Sequence, residues 1–250
     1  MKKTFYLFLF VSISSFLSAQ FNQGQIVYES KVNMHRNLPE NRQQFKDRIP
    51  EFRTSQHILE FTSDASYFYR KKVESSENDD FRSSRRRRWM RRMGQNDDVK
   101  LYTDLTVMES LESREFLGKK FLINGKPNDF KWKFTGESKQ VGSYLCQKAV
   151  HKDSTEHVEV WFTPMIPVAA GPANYTGLPG LILHVDINSG ERVITALEVN
   201  PIEIDPTSME KPSEGESITR EDYRVMVRDK MEEMRMERGG SDRARTRGRN

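Results

Sequence analysis

The sequence predicts a mainly β protein, a curved antiparallel sheet that forms a sandwich or a partly open barrel and is followed by a C-terminal amphipathic helix. Three observations lead to this fold class. Short β-rich runs, several of them with alternating apolar and polar residues, recur through residues 24–199, turn residues separate these runs, and no helical pattern lies between them. Strands that follow one another without intervening helices favour an antiparallel meander.

The first half of the chain contains most of the predicted strands, which are residues 24–33, 56–62, 65–73, 100–104, 106–111 and 114–123. Residues 37–52 contain Pro39 and Pro50 and predict a loop or a loose helix. Asn124-Gly125 predicts a tight hairpin turn, because both central positions of a type I′ turn need a positive φ. Residues 131–134 are then the start of the returning strand.

The second half predicts two further hairpins and a different ending. Residues 144–152 and 157–162 pair around one turn, and residues 181–188 and 192–199 pair around Ser189-Gly190. Residues 201–218 contain three prolines and predict a linker that closes a β-rich domain of residues 20–200.

A C-terminal helix is predicted for residues 219–238. Thr219 and Asp222 have the spacing of a capping box. Apolar side chains then recur at helical spacing, at Tyr223, Met226, Val227, Met231 and Met234. Gly239-Gly240 is predicted to end the helix, which leaves residues 239–250 as a disordered basic tail. We expect the helix to cover an apolar face or mouth of the sheet.

Residues 1–19 have the pattern of a secretory signal peptide. Lys2 and Lys3 precede an apolar run over residues 5–17, and Ser18-Ala19 supplies small residues for cleavage. The run is shorter than the roughly 20 apolar residues that a spanning helix needs. We therefore expect export, to the periplasm, to the outer membrane surface or out of the cell, with a mature chain that starts at Gln20 or Phe21.

Positive charge is concentrated in two arginine-rich tracts. The chain has a formal net charge of +4, yet without the leader and these tracts, residues 82–92 and 235–250, the remaining body carries about −9. One tract lies within residues 74–98, a predicted disordered insertion, and is a candidate contact for an anionic envelope surface. Its members are Arg85, Arg86, Arg87, Arg88, Trp89, Arg91 and Arg92. A solvated loop is the alternative, and the export signal and acidic body argue against nucleic acid.

The most specific pattern lies between Trp161 and Ile182. Trp161, Pro164 and Pro167 precede residues 177–182, which read Gly177, Leu178, Pro179, Gly180, Leu181 and Ile182. With these elements, and with residues 142–149 before them, the chain resembles the GLPGLI family of exported Bacteroidetes proteins. The resemblance implies an exported, β-rich envelope protein and supplies no catalytic residues.

From the residues alone, the motif has two interpretations. Pro179 and Gly180 stand at the central positions of a type II turn, and residues 181–183 are a continuous apolar run typical of a strand that is buried on both faces. The loop is then a rigid connection that fixes a core strand. Since fixed loops on a scaffold also carry recognition, a partner or ligand surface is the other interpretation.

Catalytic and metal-binding patterns are weak. His151, His157 and Glu159 are candidate zinc ligands, and a solvated hairpin explains them equally well. Cys146 is a candidate nucleophile, but as the single cysteine in an apparent strand it is more simply a packing residue. The methionines of the C-terminal helix are soft ligands that suit copper, or a flexible core stripe. Residues 153–155 (DST) resemble a Bacteroidetes O-glycosylation sequence.

These observations favour a non-enzymatic accessory or binding protein of the cell envelope. We expect no cofactor and no metal, and the candidate partner is an outer-membrane transporter or another envelope protein. A carrier of lipid or another apolar ligand in a half-open barrel is the alternative. A hydrolase is less favoured, because the common nucleophile and metallohydrolase motifs do not occur in the sequence.

Overall fold

The computed structural model describes residues 21–36, 38, 40–71, 99–127, 130–152 and 156–247. The predicted signal peptide, the arginine-rich insertion and the 153–155 turn lie outside these residues.

Twelve strands form most of the described structure. They are β1 (Gly24–Asn33), β2 (Phe52–Phe61), β3 (Ala65–Arg70), β4 (Lys100–Asp104), β5 (Glu109–Phe116), β6 (Lys119–Gly125), β7 (Lys133–Val141), β8 (Tyr144–Lys152), β9 (His157–Thr163), β10 (Leu181–Ile187), β11 (Arg192–Asn200) and β12 (Glu216–Thr219). Two 3₁₀ helices, Glu40–Arg48 and Pro206–Ser208, and one α-helix, α1 (Arg220–Arg247), complete it. No helix among these residues has the length and apolar character needed to cross a membrane.

All twelve strands belong to one open sheet in the order β12-β6-β5-β4-β3-β2-β1-β11-β10-β9-β8-β7. Two meanders, β1 to β6 and β7 to β11, join where β1 pairs antiparallel with β11, and β12 adds parallel to β6. Register shifts mark bulges in β7, β10 and β11, and a bulge bends its strand. The prediction of a mainly β, curved antiparallel sheet with a C-terminal helix is confirmed.

One face of the sheet carries the main core. Residues opposite each other on neighbouring strands share a face, and Ile194, Val185, Val160 and Ala149 form such a row across four strands. All four are at most 4% exposed. The described residues form no second sheet against this face, and loop residues such as Ile166 and Leu178 cover it.

The opposite face of β3 and β4 has a separate cover, the strap, which we define as residues 201–215. Ile204 and Met209 of the strap are buried against Tyr67. Tyr69 and Tyr102 pack against the same cluster. The predicted linker is therefore a packed segment, since its apolar residues bury the tyrosines that alternate with the core residues of β3 and β4.

Helix α1 begins on the core side of β5 and β6. Thr219 caps it as predicted: the Thr219 hydroxyl accepts from the Asp222 N–H at 3.1 Å and donates to the Asp222 carboxylate at 2.7 Å. Tyr223 packs edge-on against Phe116 and Phe121, at ring-centroid distances of 6.5 and 5.5 Å. The helix therefore covers the end of the sheet through its first turns.

A buried ion cluster, which we call the Glu112 clamp, joins the start of this helix to β5. Arg220 Nη1 donates to Glu112 Oε2 at 2.9 Å, and Arg220 Nη2 donates to Ser110 Oγ at 3.1 Å. Arg114 Nη2 lies 2.5 Å from Glu112 Oε1 as an ion pair without hydrogen-bond geometry. The Glu112 side chain is 2% exposed, so its charge depends on these two arginines.

Two turns differ from the prediction. The hairpin between β5 and β6 turns at Leu117-Gly118, with φ values of 51° and 83°, whereas Asn124 and Gly125 are the end of β6. The predicted hairpin turn at Asn124-Gly125 is wrong, because cross-strand pairing continues through both residues: Gly125 pairs with Ser110, and Asn124 pairs with Leu111. A turn motif is overridden when both flanking strands have partners.

The ending of the chain differs as well. Glu216–Thr219 forms β12, a polar strand that the sequence did not predict, and it is held by pairing with β6. Helix α1 continues through Gly239 and Gly240 to Arg247, beyond the predicted end. Glycine lowers helix stability by about 1 kcal/mol relative to alanine without blocking the helix sterically.

The Glu112 clamp predicts a specific loss of stability. Arg220→Ala removes one of the two charges that neutralise a buried carboxylate, and we expect the free energy of unfolding to fall by about 2–3 kcal/mol. Arg228→Ala is the matched control, since Arg228 is 70% exposed and we expect a change below about 0.5 kcal/mol. Urea denaturation measures both, and equal stabilities of the two variants would contradict the clamp.

Candidate functional site

The motif residues build a loop over the core, the covering loop, which we define as residues 164–180. Ile166, Val168, Ala170 and Leu178 are at most 2% exposed and belong to the main core cluster. Other members of the loop lie at the surface as an apolar motif ridge, which consists of Pro164, Met165, Pro167 and Pro179. One set of residues therefore fills the interior of the curved sheet, and another faces solvent.

Backbone hydrogen bonds fix the loop to the start of β10. The Leu181 N–H donates to the Ile166 carbonyl and the Ile182 N–H donates to the Ala170 carbonyl, both at 3.0 Å. The hydroxyl of Tyr28, a residue of β1 that is fully buried, donates to the Ile182 carbonyl at 2.6 Å. The first residues of β10 thus receive partners from the loop and from a distant strand, which holds the loop in one position.

Gly180 is required by a close backbone approach. A Cβ atom at this position would lie 2.3 Å from the Thr163 carbonyl oxygen, and the φ of Gly180 is 155°. The Gly180 N–H donates to the Leu178 carbonyl at 2.8 Å, so the chain makes a three-residue turn around Pro179. The predicted type II turn is therefore wrong, because the Leu181 N–H that would close it bonds to Ile166 instead.

Aromatic residues support one flank of the covering loop. Trp132 Nε1–H donates to the Thr176 carbonyl at 2.8 Å, and Phe130 stacks on Tyr175 with 5.0 Å between ring centroids. His151 packs edge-on against Phe130 at 5.2 Å. Burial raises the pKa of Tyr175, so its hydroxyl stays neutral. The packed rings and the Trp132 hydrogen bond therefore hold this flank of the covering loop in place.

The other side of the same strands carries two lysines beside a buried tryptophan, and we call the group of Lys139, Lys148 and Trp161 the lysine–tryptophan face. Trp161 on β9 stands opposite Lys148 on β8 and opposite His184 on β10. Lys139 Nζ lies 4.2 Å from the Trp161 ring centroid, and Lys148 Nζ lies 5.8 Å from it. Both ammonium groups are within cation–π range of one ring.

Carboxylates lie close to both lysines of this face, and the charges of Asp186 and Glu159 act on Lys139. Lys148 Nζ lies 3.0 Å from Glu159 and 3.5 Å from Glu137. Burial, with a smaller effect from the Lys139 charge, lowers the pKa of His184 to about 4, and its Nδ1 lies 2.9 Å from Thr195 Oγ1. His184 is consequently neutral at pH 7, and the lysines supply the positive charge.

The structure does not bring the candidate zinc ligands together. His157 Nε2 lies 3.1 Å from Glu159 Oε1 on β9. His151 on β8 stands opposite Val158 on β9. It therefore points to the other face of the hairpin, where it packs on aromatic rings. Within the described ranges, no group of three or more His, Cys, Asp or Glu residues is arranged to hold a metal ion.

The other sequence candidates have ordinary surroundings or lie outside the described residues. Burial raises the pKa of the Cys146 thiol to about 11 in spite of the nearby Lys139, so the thiol is protonated, and this favours the packing interpretation. Met226 packs beside Tyr223, whereas Met231 is 51% exposed. The arginine tract at residues 85–92 and the turn at residues 153–155 are not described.

Sequence reasoning missed Lys139 and Lys148 as parts of a surface. Lys139 belongs to a polar run in which no strand was predicted, and Lys148 has no distinctive spacing from Trp161 along the chain. Their meeting depends on the register of β7, β8 and β9. Strand alternation places each lysine on a face, but only the register brings both over the same ring.

The comparisons with known proteins identify a family segment and a fold. Residues 150–184 match a family described as "Protein of unknown function (Porph_ging)", and this short segment contains Trp161, the covering loop and residues 177–182. None of the curated proteins matches the sequence significantly. The segment that forms the loop over the core is therefore shared with a family of unknown function.

The fold resembles part of a larger solved protein. The crystal structure of PNGF-II in space group P21 superposes with a TM-score of 0.55 at 17% identity, covering 82% of this chain and 33% of that one. The C2 crystal form gives a TM-score of 0.54 at 17% identity, with 82% and 32% covered. The chain thus spans about a third of PNGF-II, and this likeness concerns the fold alone.

The close approach at Gly180 predicts a matched pair of variants. Gly180→Ala places a methyl group against the Thr163 backbone, whereas Gly118→Ala has a positive φ of 83° but nothing within 4 Å of the new Cβ. We expect Gly118→Ala to lower the free energy of unfolding by about 1–2 kcal/mol and Gly180→Ala to lower it by at least about 1 kcal/mol more. Urea denaturation measures the difference, and equal losses would show that the loop does not press on β9.

Proposed function

We propose that this chain is an exported, non-enzymatic envelope accessory or binding protein of the GLPGLI family. One observation carries the proposal: the covering loop fills the interior of the sheet with Ile166, Val168 and Leu178, while the motif ridge stays at the surface. A loop that is anchored in the core on one side and exposes apolar residues to solvent on the other suits contact with another protein.

The filled interior supports the accessory role over the carrier role. A carrier of lipid needs an apolar cavity, and ligand cavities are lined mainly by apolar side chains. The two grooves beside the strap, of about 250 and 300 Å³, are lined mostly by charged and polar residues, among them Lys100, Glu115, Asp104 and Lys126. Such linings suit water and polar groups better than acyl chains.

The chemistry of the buried groups supports a role without catalysis. A nucleophilic cysteine needs a lowered pKa, and burial raises that of Cys146. The likeness to one third of PNGF-II adds support of a different kind, because a fold that occurs as part of a larger protein suits a module that works beside other parts. The candidate partner is an outer-membrane transporter or another envelope protein, and the arginine tract is a further candidate contact for an anionic surface.

Native mass spectrometry of the full chain purified from its own periplasm tests the proposal. We expect a second protein bound at the motif ridge, and we expect Met165→Asp to reduce the bound fraction at least tenfold, because it places a charge in the apolar contact. Val107→Asp is the matched control, since Val107 is a 59% exposed apolar residue between β4 and β5 and should leave binding unchanged.

Two results would overturn the proposal. A bound lipid with no bound protein would support the carrier role. Equal retention of the partner by the Met165→Asp and Val107→Asp variants would place the contact away from the motif ridge and leave the covering loop with an architectural role only.

A further inference from the structure

The two edges of the sheet are treated differently by the chain. At one end, β12 pairs with β6, and helix α1 follows it directly. At the other end, β7 is the last strand, and no strand of the described residues pairs with its outer side. An edge strand presents rows of N–H and C=O groups that can pair with another chain.

The hairpin of β7 and β8 determines which backbone groups point outward. Val141 pairs with Tyr144 across a two-residue turn, and Gly142 has the positive φ (57°) of the first residue of a type II′ turn. The residues that flank such a turn exchange both hydrogen bonds, and the pairing alternates from there. The N–H and C=O groups of Gln140 and Ser138 therefore point to the open edge.

The two faces beside this edge differ in chemistry. Lys139 alternates with Ser138 and Gln140 and lies over the Trp161 ring, with Lys148 on the same face. On the opposite face, Phe134 is 53% exposed and Leu145 is 61% exposed. A strand added outside β7 would place one set of alternate side chains beside Lys139 and the other set beside Ser138 and Gln140, because residues opposite each other on neighbouring strands share a face.

We propose that the outer edge of β7 binds an extended segment of a partner protein in which acidic residues alternate with uncharged ones. The segment adds a further strand beside β7: its backbone bonds to Ser138 and Gln140, a carboxylate faces Lys139, and the alternate, uncharged side chains lie beside those of Ser138 and Gln140. This inference rests on the proposed binding function and names the partner's chemistry.

The bulge in β7 limits the length of the docked segment. The register shifts between Phe134 and Ser138, and Gly136 has a φ of 79°. Bulges protect edges against unselective pairing. Only residues 138–141 offer a regular ladder, roughly 13 Å at 3.3 Å per residue. Selectivity therefore comes from the side chains beside the edge, and the salt dependence of binding should reflect the lysines.

Peptide binding to the full chain tests this site directly. The probe is a fluorescently labelled, capped hexapeptide of alternating Glu and Val, and the comparison peptide alternates Lys and Val. We expect the Glu peptide to bind at least tenfold more tightly in fluorescence polarisation at low salt. Lys139→Glu should remove this preference, whereas Lys126→Glu, a charge reversal at an exposed lysine just after β6, should preserve it.

A backbone variant separates edge pairing from simple charge attraction. Gln140→Pro removes an N–H group that points to the open edge. The Gln140 N–H makes no bond to Leu145, so the β7–β8 ladder loses no hydrogen bond. We therefore expect at least a tenfold loss of binding by the Glu peptide. Amide NMR of Tyr144 and Cys146 in that variant reports whether the β7–β8 ladder remains. If proline disrupts the ladder, the alternative measurement is amide hydrogen exchange of Ser138 and Gln140 in the unsubstituted chain. We expect bound Glu peptide to slow the exchange of both amides.

The outcomes separate this site from the proposed function. If the periplasmic partner is lost from the Met165→Asp variant but retained by Gln140→Pro and Lys139→Glu, the binding function stands and the β7 site is overturned. No binding of either peptide at millimolar concentration overturns the site as well. Dimers of the full chain that Gln140→Pro converts to monomers would identify a second copy as the occupant and overturn the partner segment.

Discussion

The described strands form a single open sheet, with no second sheet among these residues to bury its apolar face, and this constraint shapes the rest of the structure. The main core is closed by the covering loop, which inserts Ile166, Val168 and Leu178 among the strand residues. The loop remains in place because the first amides of β10 bond to its carbonyls and because Gly180 lets it approach the Thr163 backbone. Without the loop, the buried row across β8 to β11 would face water.

The C-terminal part of the chain covers the apolar residues of the other half of the sheet. The strap covers Tyr67 on one face, β12 extends the edge beyond β6, and the first turns of α1 cover Phe116 and Phe121 on the other face. The Glu112 clamp ties these parts together by holding Arg220 at the point where strand becomes helix. One end of the sheet is thus covered by the strap and by α1, and at the other end no strand of the described part of the chain pairs with the outer side of β7.

Much of the fold could be predicted from the sequence where alternation and turn chemistry agree. The bounds of β1, β4 and β8 match the predicted strands because apolar residues and turn residues delimit them unambiguously. The prediction failed where pairing overrides local preference: Asn124 and Gly125 continue a strand, and β12 (ESIT) is a mostly polar strand that pairs with β6. Long-range pairing of this kind has no local signal.

Part of the candidate site could be predicted from the sequence, and part could not. Trp161, Gly180 and the residues around them were recognised as a motif, but the motif did not reveal that alternate residues enter the core. The lysine–tryptophan face depends on the register of three strands, which no spacing along the chain encodes. A motif identifies residues that matter, and the register decides what they contact.

The central claim is that the covering loop is a fixed part of the core while the β7 edge is open to a partner. Amide hydrogen exchange measures both in one experiment on the full chain. We predict that the amides of Leu181 and Ile182 exchange only by global unfolding, whereas those of Ser138 and Gln140 exchange many orders of magnitude faster. Fast exchange at Leu181 and Ile182, or protection of Ser138 and Gln140 equal to theirs, would contradict the account.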